Sequence, residues 1–135
     1  MLRPRGRFVA SLAHPCFDKM ATSGWAIERI YPVTTVWRKM SRYREIAAAE
    51  VPWLRVSDRT VYTRAYHRPL SWYVRTLRAA GMLVAALEEP APTDEFLAAS
   101  EQGPWIAEIP LHCVFEAWKL PGRMGREYAP QAHSA

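Results

Sequence analysis

Between positions 67 and 90 the chain reads HRPLSWYVRTLRAAGMLVAALEEP, and the period of its apolar positions changes part-way along. Leu70, Tyr73, Val74 and Leu77 recur at helical spacing, which predicts a helix with one apolar stripe. Pro69 stands in its first turn, where a missing N–H costs nothing because that group has no partner there anyway. Gly81 follows Ala79-Ala80 and closes the helix, since glycine takes the left-handed backbone of a helix end without strain. Residues 82–87 are then apolar without a break, the pattern of a short strand buried on both faces. Glu88-Glu89-Pro90 ends it. A helix that hands over to a buried strand through one glycine is half of an α/β unit.

The remaining pattern is less regular. Residues 8–13 read as a strand that His14-Pro15 stops, because proline cannot donate to a ladder. Residues 19–32 hold Gly24 and Pro32 and show no period, so a loop with one short turn is expected there. Val36, Met40, Tyr43 and Ala47 are spaced for one helical face, and residues 46–50 favour helix by propensity, with an extended segment as the rival reading. Residues 56–66 alternate and are rich in Thr, Val and Tyr, which predicts a strand or hairpin arm. Thr93 is placed to cap a short helix over 94–100, which Gly103-Pro104 breaks. Residues 111–120 predict a last strand, and from Pro121 onward the composition predicts a frayed tail. The expected core is Phe8, Val9, Leu12, Leu70, Val74, Leu77, Leu83, Val84, Leu87, Val114 and Phe115. No internal repeat interrupts this order.

Composition narrows the function classes. With 135 residues, half of them apolar, the chain is expected to form one small globular domain. The net charge of +5 invites a nucleic-acid partner, but the arginines are scattered and no binding motif accompanies them, so none is expected. No apolar run approaches the roughly 20 residues that span a bilayer. The basic N-terminus is followed by an apolar stretch too short and broken for a signal peptide, and a cytoplasmic location is the default. Two cysteines do not make a disulfide framework. His14 and Cys16, with His112 and Cys113, could suggest zinc. Neighbours on a strand point to opposite faces, however, and the spacing misses the usual gap between ligands, so no metal is expected and both cysteines read as small buried hydrophobes.

Three stretches carry a family resemblance: HRPLSxYxxxLxxAGxxxxxLEEPxP from His67, LRPRGRFVASLAHPCFD from Leu2, and LHCVFEAWK from Leu111. Together they resemble the C-terminal half of a class I S-adenosylmethionine (SAM)-dependent methyltransferase of the type 11/25-like group. Met82 stands where the family usually has Phe. Arg5 replaces the first glycine of a Leu-x-Pro-Gly-Gly turn, a loss of about 1 kcal/mol if the left-handed geometry persists. The resemblance implies an α/β fold: half of a Rossmann-like sheet, mixed, with an antiparallel last strand between the family's fifth and sixth. It implies a partial domain over 1–120, with a lid segment at about 18–66, and a flexible tail at 121–135.

It also implies an absence. The family holds SAM on a glycine-rich loop after its first strand and an acidic residue after its second, and no stretch of this sequence reads as strand, glycine-rich turn, helix. SAM is therefore the implied cofactor, with no cofactor-binding residue in this chain. Ligands of open α/β sheets lie outside the carboxyl ends of the strands, which makes His14, Tyr66 and His67 the candidates for a substrate pocket. Either histidine could position or deprotonate a small-molecule methyl acceptor; the alternative, that each bonds backbone and orders a loop, is preferred. No residue is assigned as catalytic, because an activated sulfonium needs mainly positioning. Two functions follow: part of a methyltransferase, inactive alone, or a non-catalytic module that dimerises or binds a partner chain at its exposed sheet edge.

Overall fold

The computed structural model describes residues 2–18, 22–99 and 105–122. Strand β1 (Arg7–Ala13) is followed by two hairpins, β2 (Ser23–Ile30) with β3 (Val33–Met40) and β4 (Ala47–Val56) with β5 (Arg59–His67). Helix α1 (Leu70–Ala79) then leads into β6 (Met82–Glu88), two short helices α2 (Asp94–Ala99) and α3 (Trp105–Glu108), and β7 (His112–Lys119). β1, β7 and β6 form one sheet in that order, with β7 antiparallel to both neighbours. β1 and β6 therefore run parallel, and their carboxyl ends lie on the same side of the molecule. The resemblance predicts this strand order; periodicity alone does not.

The helix and its stop form as the pattern requires. α1 begins directly after Pro69, and Gly81 takes φ 68° between it and β6. Thr93 Oγ accepts the Phe96 N–H at 3.2 Å, capping α2. Arg5 does hold the left-handed backbone, at φ 63°, where the resembled turn has glycine. Beside it, a side chain on Gly6 would fall 2.8 Å from the Arg3 carbonyl, so that position still requires glycine.

Two expectations are corrected. Residues 23–40 form a hairpin rather than a loop and the start of a helix. Val33, Thr34, Thr35 and Val36 are all branched at Cβ, which restricts them in a helix and suits a strand, and they pair across to β2 instead. The helical spacing of Val36, Met40, Tyr43 and Ala47 spans a strand, a turn with Arg42 at φ 53°, and the next strand. Pro52 lies inside β4, where the ladder shifts register between Pro52 and Leu54, the setting in which a strand tolerates proline.

The second correction is the core. Met82, Cys113, Phe115 and Ala117 are the buried apolar residues described, and Phe8, Val9, Val74, Leu83 and Leu87 are exposed. Leu12, Leu70, Leu77, Val84 and Val114 are half-buried. For Val9 and Leu83 the reason is that α1 covers only one face of the sheet. Cys113, Phe115 and Ala117 alternate onto that face, with the Tyr73 ring 5.8 Å from that of Phe115. Val9, Leu83 and Trp118 share the opposite face, which the described residues leave uncovered. The expected break at Gly103-Pro104 and most of the expected tail, residues 123–135, lie outside the described residues.

Candidate functional site at the carboxyl ends of the parallel strands

His14 leaves the end of β1 and is 2% exposed. Its Nδ1 accepts the Cys16 N–H at 3.1 Å, so in the neutral ring the proton is on Nε2, which donates to Glu89 Oε1 at 2.7 Å. Glu89 follows β6. His14 thus ties the end of one parallel strand to the end of the other, and both ring nitrogens are used in doing so.

His67 closes β5 and is also buried. Its Nε2 lies 2.7 Å from the Tyr43 carbonyl, which can only accept, so Nε2 carries the proton and Nδ1 the lone pair. No hydrogen bond to Nδ1 is made among the described residues. His67 lines a cavity of about 60 Å³ together with Ala13, Asp18, Ala47, Ala49, Ala65 and Tyr66. Tyr66 itself is exposed, with the Arg68 and Arg64 guanidinium groups 5.8 and 6.0 Å from its ring centre. Of the three candidates, the structure brings His67 and Tyr66 to one cavity and places His14 in a clamp beside it.

Sequence reasoning missed the residue that connects them. Tyr43 sits in the link between the hairpins, and besides taking the His67 proton on its carbonyl it meets that ring edge-on at 5.9 Å. Its hydroxyl accepts the Leu70 N–H at 2.9 Å, supplying the cap that Pro69 cannot give α1, and lies 3.7 Å from Cys16 Sγ. Burial pushes the Tyr43 hydroxyl above its usual pKa, against the pull of the Leu70 N–H. Arg38 fixes the other wall. It donates to the Phe17 carbonyl at 2.6 Å, to Asp18 at 3.3 Å and to Ser23 Oγ at 3.1 Å, and stacks 4.9 Å over the Trp25 ring. The apolar pattern marks Tyr43 only as part of a helical face and does not mark Arg38, because their partners lie on other elements.

His112 is exposed and Cys113 fully buried, on opposite faces of β7 as alternation requires. No cluster of three or more His, Cys, Asp or Glu among the described residues could hold a metal ion. Burial raises the Cys113 thiol above its usual range, with Cys16 and Glu89 adding to the effect. The thiol therefore stays protonated and unreactive where an exposed one begins to ionise. A small alkylating reagent is expected to modify Cys16 in the native protein and spare Cys113 until the chain is unfolded; equal native labelling of both would contradict this packing.

No family model and no curated protein matches the chain. Solved structures do. A SAM-dependent methyltransferase from Mesorhizobium loti superposes with a TM-score of 0.53 and 29% identity over 85% of this chain. The chain has a class I SAM-dependent methyltransferase-like fold. A Listeria monocytogenes protein assigned to SAM-dependent methyltransferases gives a TM-score of 0.58 over 89% of the chain at 22% identity, a likeness of fold. The chain spans about half the length of these methyltransferase structures, 48% and 50%. Gly6 and Gly81 precede strands, Gly24 lies within β2 and Gly122 follows β7. None forms a turn at the carboxyl end of β1 or β6, where a backbone would approach a ligand closely. No described helix is long and apolar enough to cross a membrane.

Proposed function

We propose that the chain is the acceptor-side portion of a SAM-dependent methyltransferase that acts on a small molecule, and that it transfers no methyl group on its own. The observation that carries this is the overlay of 85% of the chain on the Mesorhizobium loti methyltransferase, of which it spans 48%. The geometry at the strand ends agrees. In this reading His67, its lone pair on Nδ1 beside a small cavity, accepts the proton that a methyl acceptor must lose, and Tyr43 holds the ring in that tautomer. His14 and Glu89 keep the rim closed from behind. No step is assigned through SAM, since the described residues provide no turn to hold it.

Titration of the purified chain with SAM by calorimetry tests the reading. The expected affinity is weaker than about 1 mM. Micromolar binding by a monomer would overturn the proposal, because one of the hairpins would then have to be the cofactor site.

A further inference from the structure

The outer edge of β1 is the most unusual surface of the sheet. Among the described residues β1 pairs only with β7, over seven consecutive partners and without a bulge. The other edge strand, β6, is broken by a register shift between Val84 and Ala86, which blunts it against further pairing. The direction of the open groups in β1 follows from the ladder. The His14 N–H donates to the Leu111 carbonyl, so even-numbered residues of β1 face β7. Val9 and Ser11 therefore turn both backbone groups outward. Next to this edge, on the α1 side, is a groove of about 240 Å³ lined by Phe8, Leu12, Trp72, Leu77 and Phe115.

We propose that two copies of the chain pair antiparallel through the free edge of β1, with Ala10 on the twofold axis. The sequence of β1 is self-complementary in that register. Val9 of each copy exchanges hydrogen bonds with Ser11 of the other, the two outward-facing positions in each strand. Opposite residues of an antiparallel pair share a face, so Phe8 meets Leu12 of the second copy on the α1 side, and the small Ala10 meets its own counterpart between them. No like charges oppose, because Arg7 falls across from Ala13. The twofold keeps both α1 helices on the same face, and each copy's Phe8 and Leu12 close the end of the other's groove. The surface pairs with itself, so the assembly stops at two. This inference rests on the ladder and its register, and does not depend on the methyltransferase reading.

Light scattering on the purified chain is expected to give twice its 15.5 kDa. Val9→Pro removes an outward N–H while leaving the β7 ladder intact, and is expected to yield monomer with unchanged far-ultraviolet circular dichroism. Phe8→Lys and Leu12→Glu, each alone, are expected to weaken association at least tenfold, and the double variant to restore it through Lys–Glu pairs across the axis. Amide exchange on the unmodified chain gives a reading independent of any variant: the Val9 and Ser11 amides are expected to be as protected as those of Ala10 and Leu12. A monomer, a dimer that survives Val9→Pro, or fast exchange at Val9 and Ser11 in the associated protein would each overturn the proposal.

Discussion

Phe115→Ala is expected to cost about 3–5 kcal/mol of stability, the largest effect of any single truncation in the chain. Phe115 is 1% exposed at the middle of the central strand, opposite Ala10 on one side and Leu87 on the other. Tyr73 reaches it from α1. It pairs with both edge strands and meets the helix through Tyr73. Among the described residues Phe115, Cys113 and Ala117 are almost wholly out of solvent, and Phe115 is by far the largest of them. Its removal opens a void that Ala10 and Ala117 are too short to fill. Small domains have about 5–15 kcal/mol in total, so the loss should move a urea midpoint far toward zero. A change below about 1 kcal/mol would mean that α1 does not pack on this face.

His14→Ala is expected to cost about 1–3 kcal/mol, the penalty for leaving a buried hydrogen-bonding group without its partner. Two bonds are lost at once, and they are not equal. Glu89 is half exposed and water can replace the ring there, whereas the Cys16 N–H sits under His14 itself. His14→Asn keeps an acceptor near the position of Nδ1, and His14→Gln keeps a donor near that of Nε2. The asparagine variant is accordingly expected to recover more stability than the glutamine variant. Equal loss in all three, measured by urea unfolding, would show that ring packing against Phe17, 4.8 Å away, matters more than either bond.

These two residues illustrate what could be read beforehand. Phe115 stands in an apolar run, and the run alone identifies a strand. The unit from Pro69 through Gly81 to Glu88 was equally readable, because a helix period, a stop and a strand run are local signals. Burial on both faces was not readable from β1 and β6. An apolar residue such as Leu83 records what the fold is built to cover, and here the described chain covers one side only. The strand or hairpin arm expected over 56–66 is β5, but the first hairpin and β4 were hidden for a different reason. Four apolar positions from Val36 to Ala47 fell at helical spacing by accident of a turn between two strands. At the site, the ends of strands pointed to His14 and His67. Which nitrogen of each ring carries the proton depends on Cys16, Glu89 and Tyr43, and Tyr43 lies 24 residues from the ring it holds and 27 from the amide it caps. No periodicity encodes those contacts.

The strand order is what makes the chain methyltransferase-like, and nuclear Overhauser contacts between Hα protons measure it directly. In antiparallel pairs the non-hydrogen-bonded positions bring Cα atoms to about 4.5 Å, their closest approach. The bonds from His14 to Leu111 and from Leu120 to Gly81 fix which positions those are. Contacts are predicted for Val9 with Glu116 and Ser11 with Val114 on one side of β7, and for Met82 with Lys119 and Val84 with Ala117 on the other. Hα contacts running directly from β1 to β6, with β7 at an edge, would contradict the account.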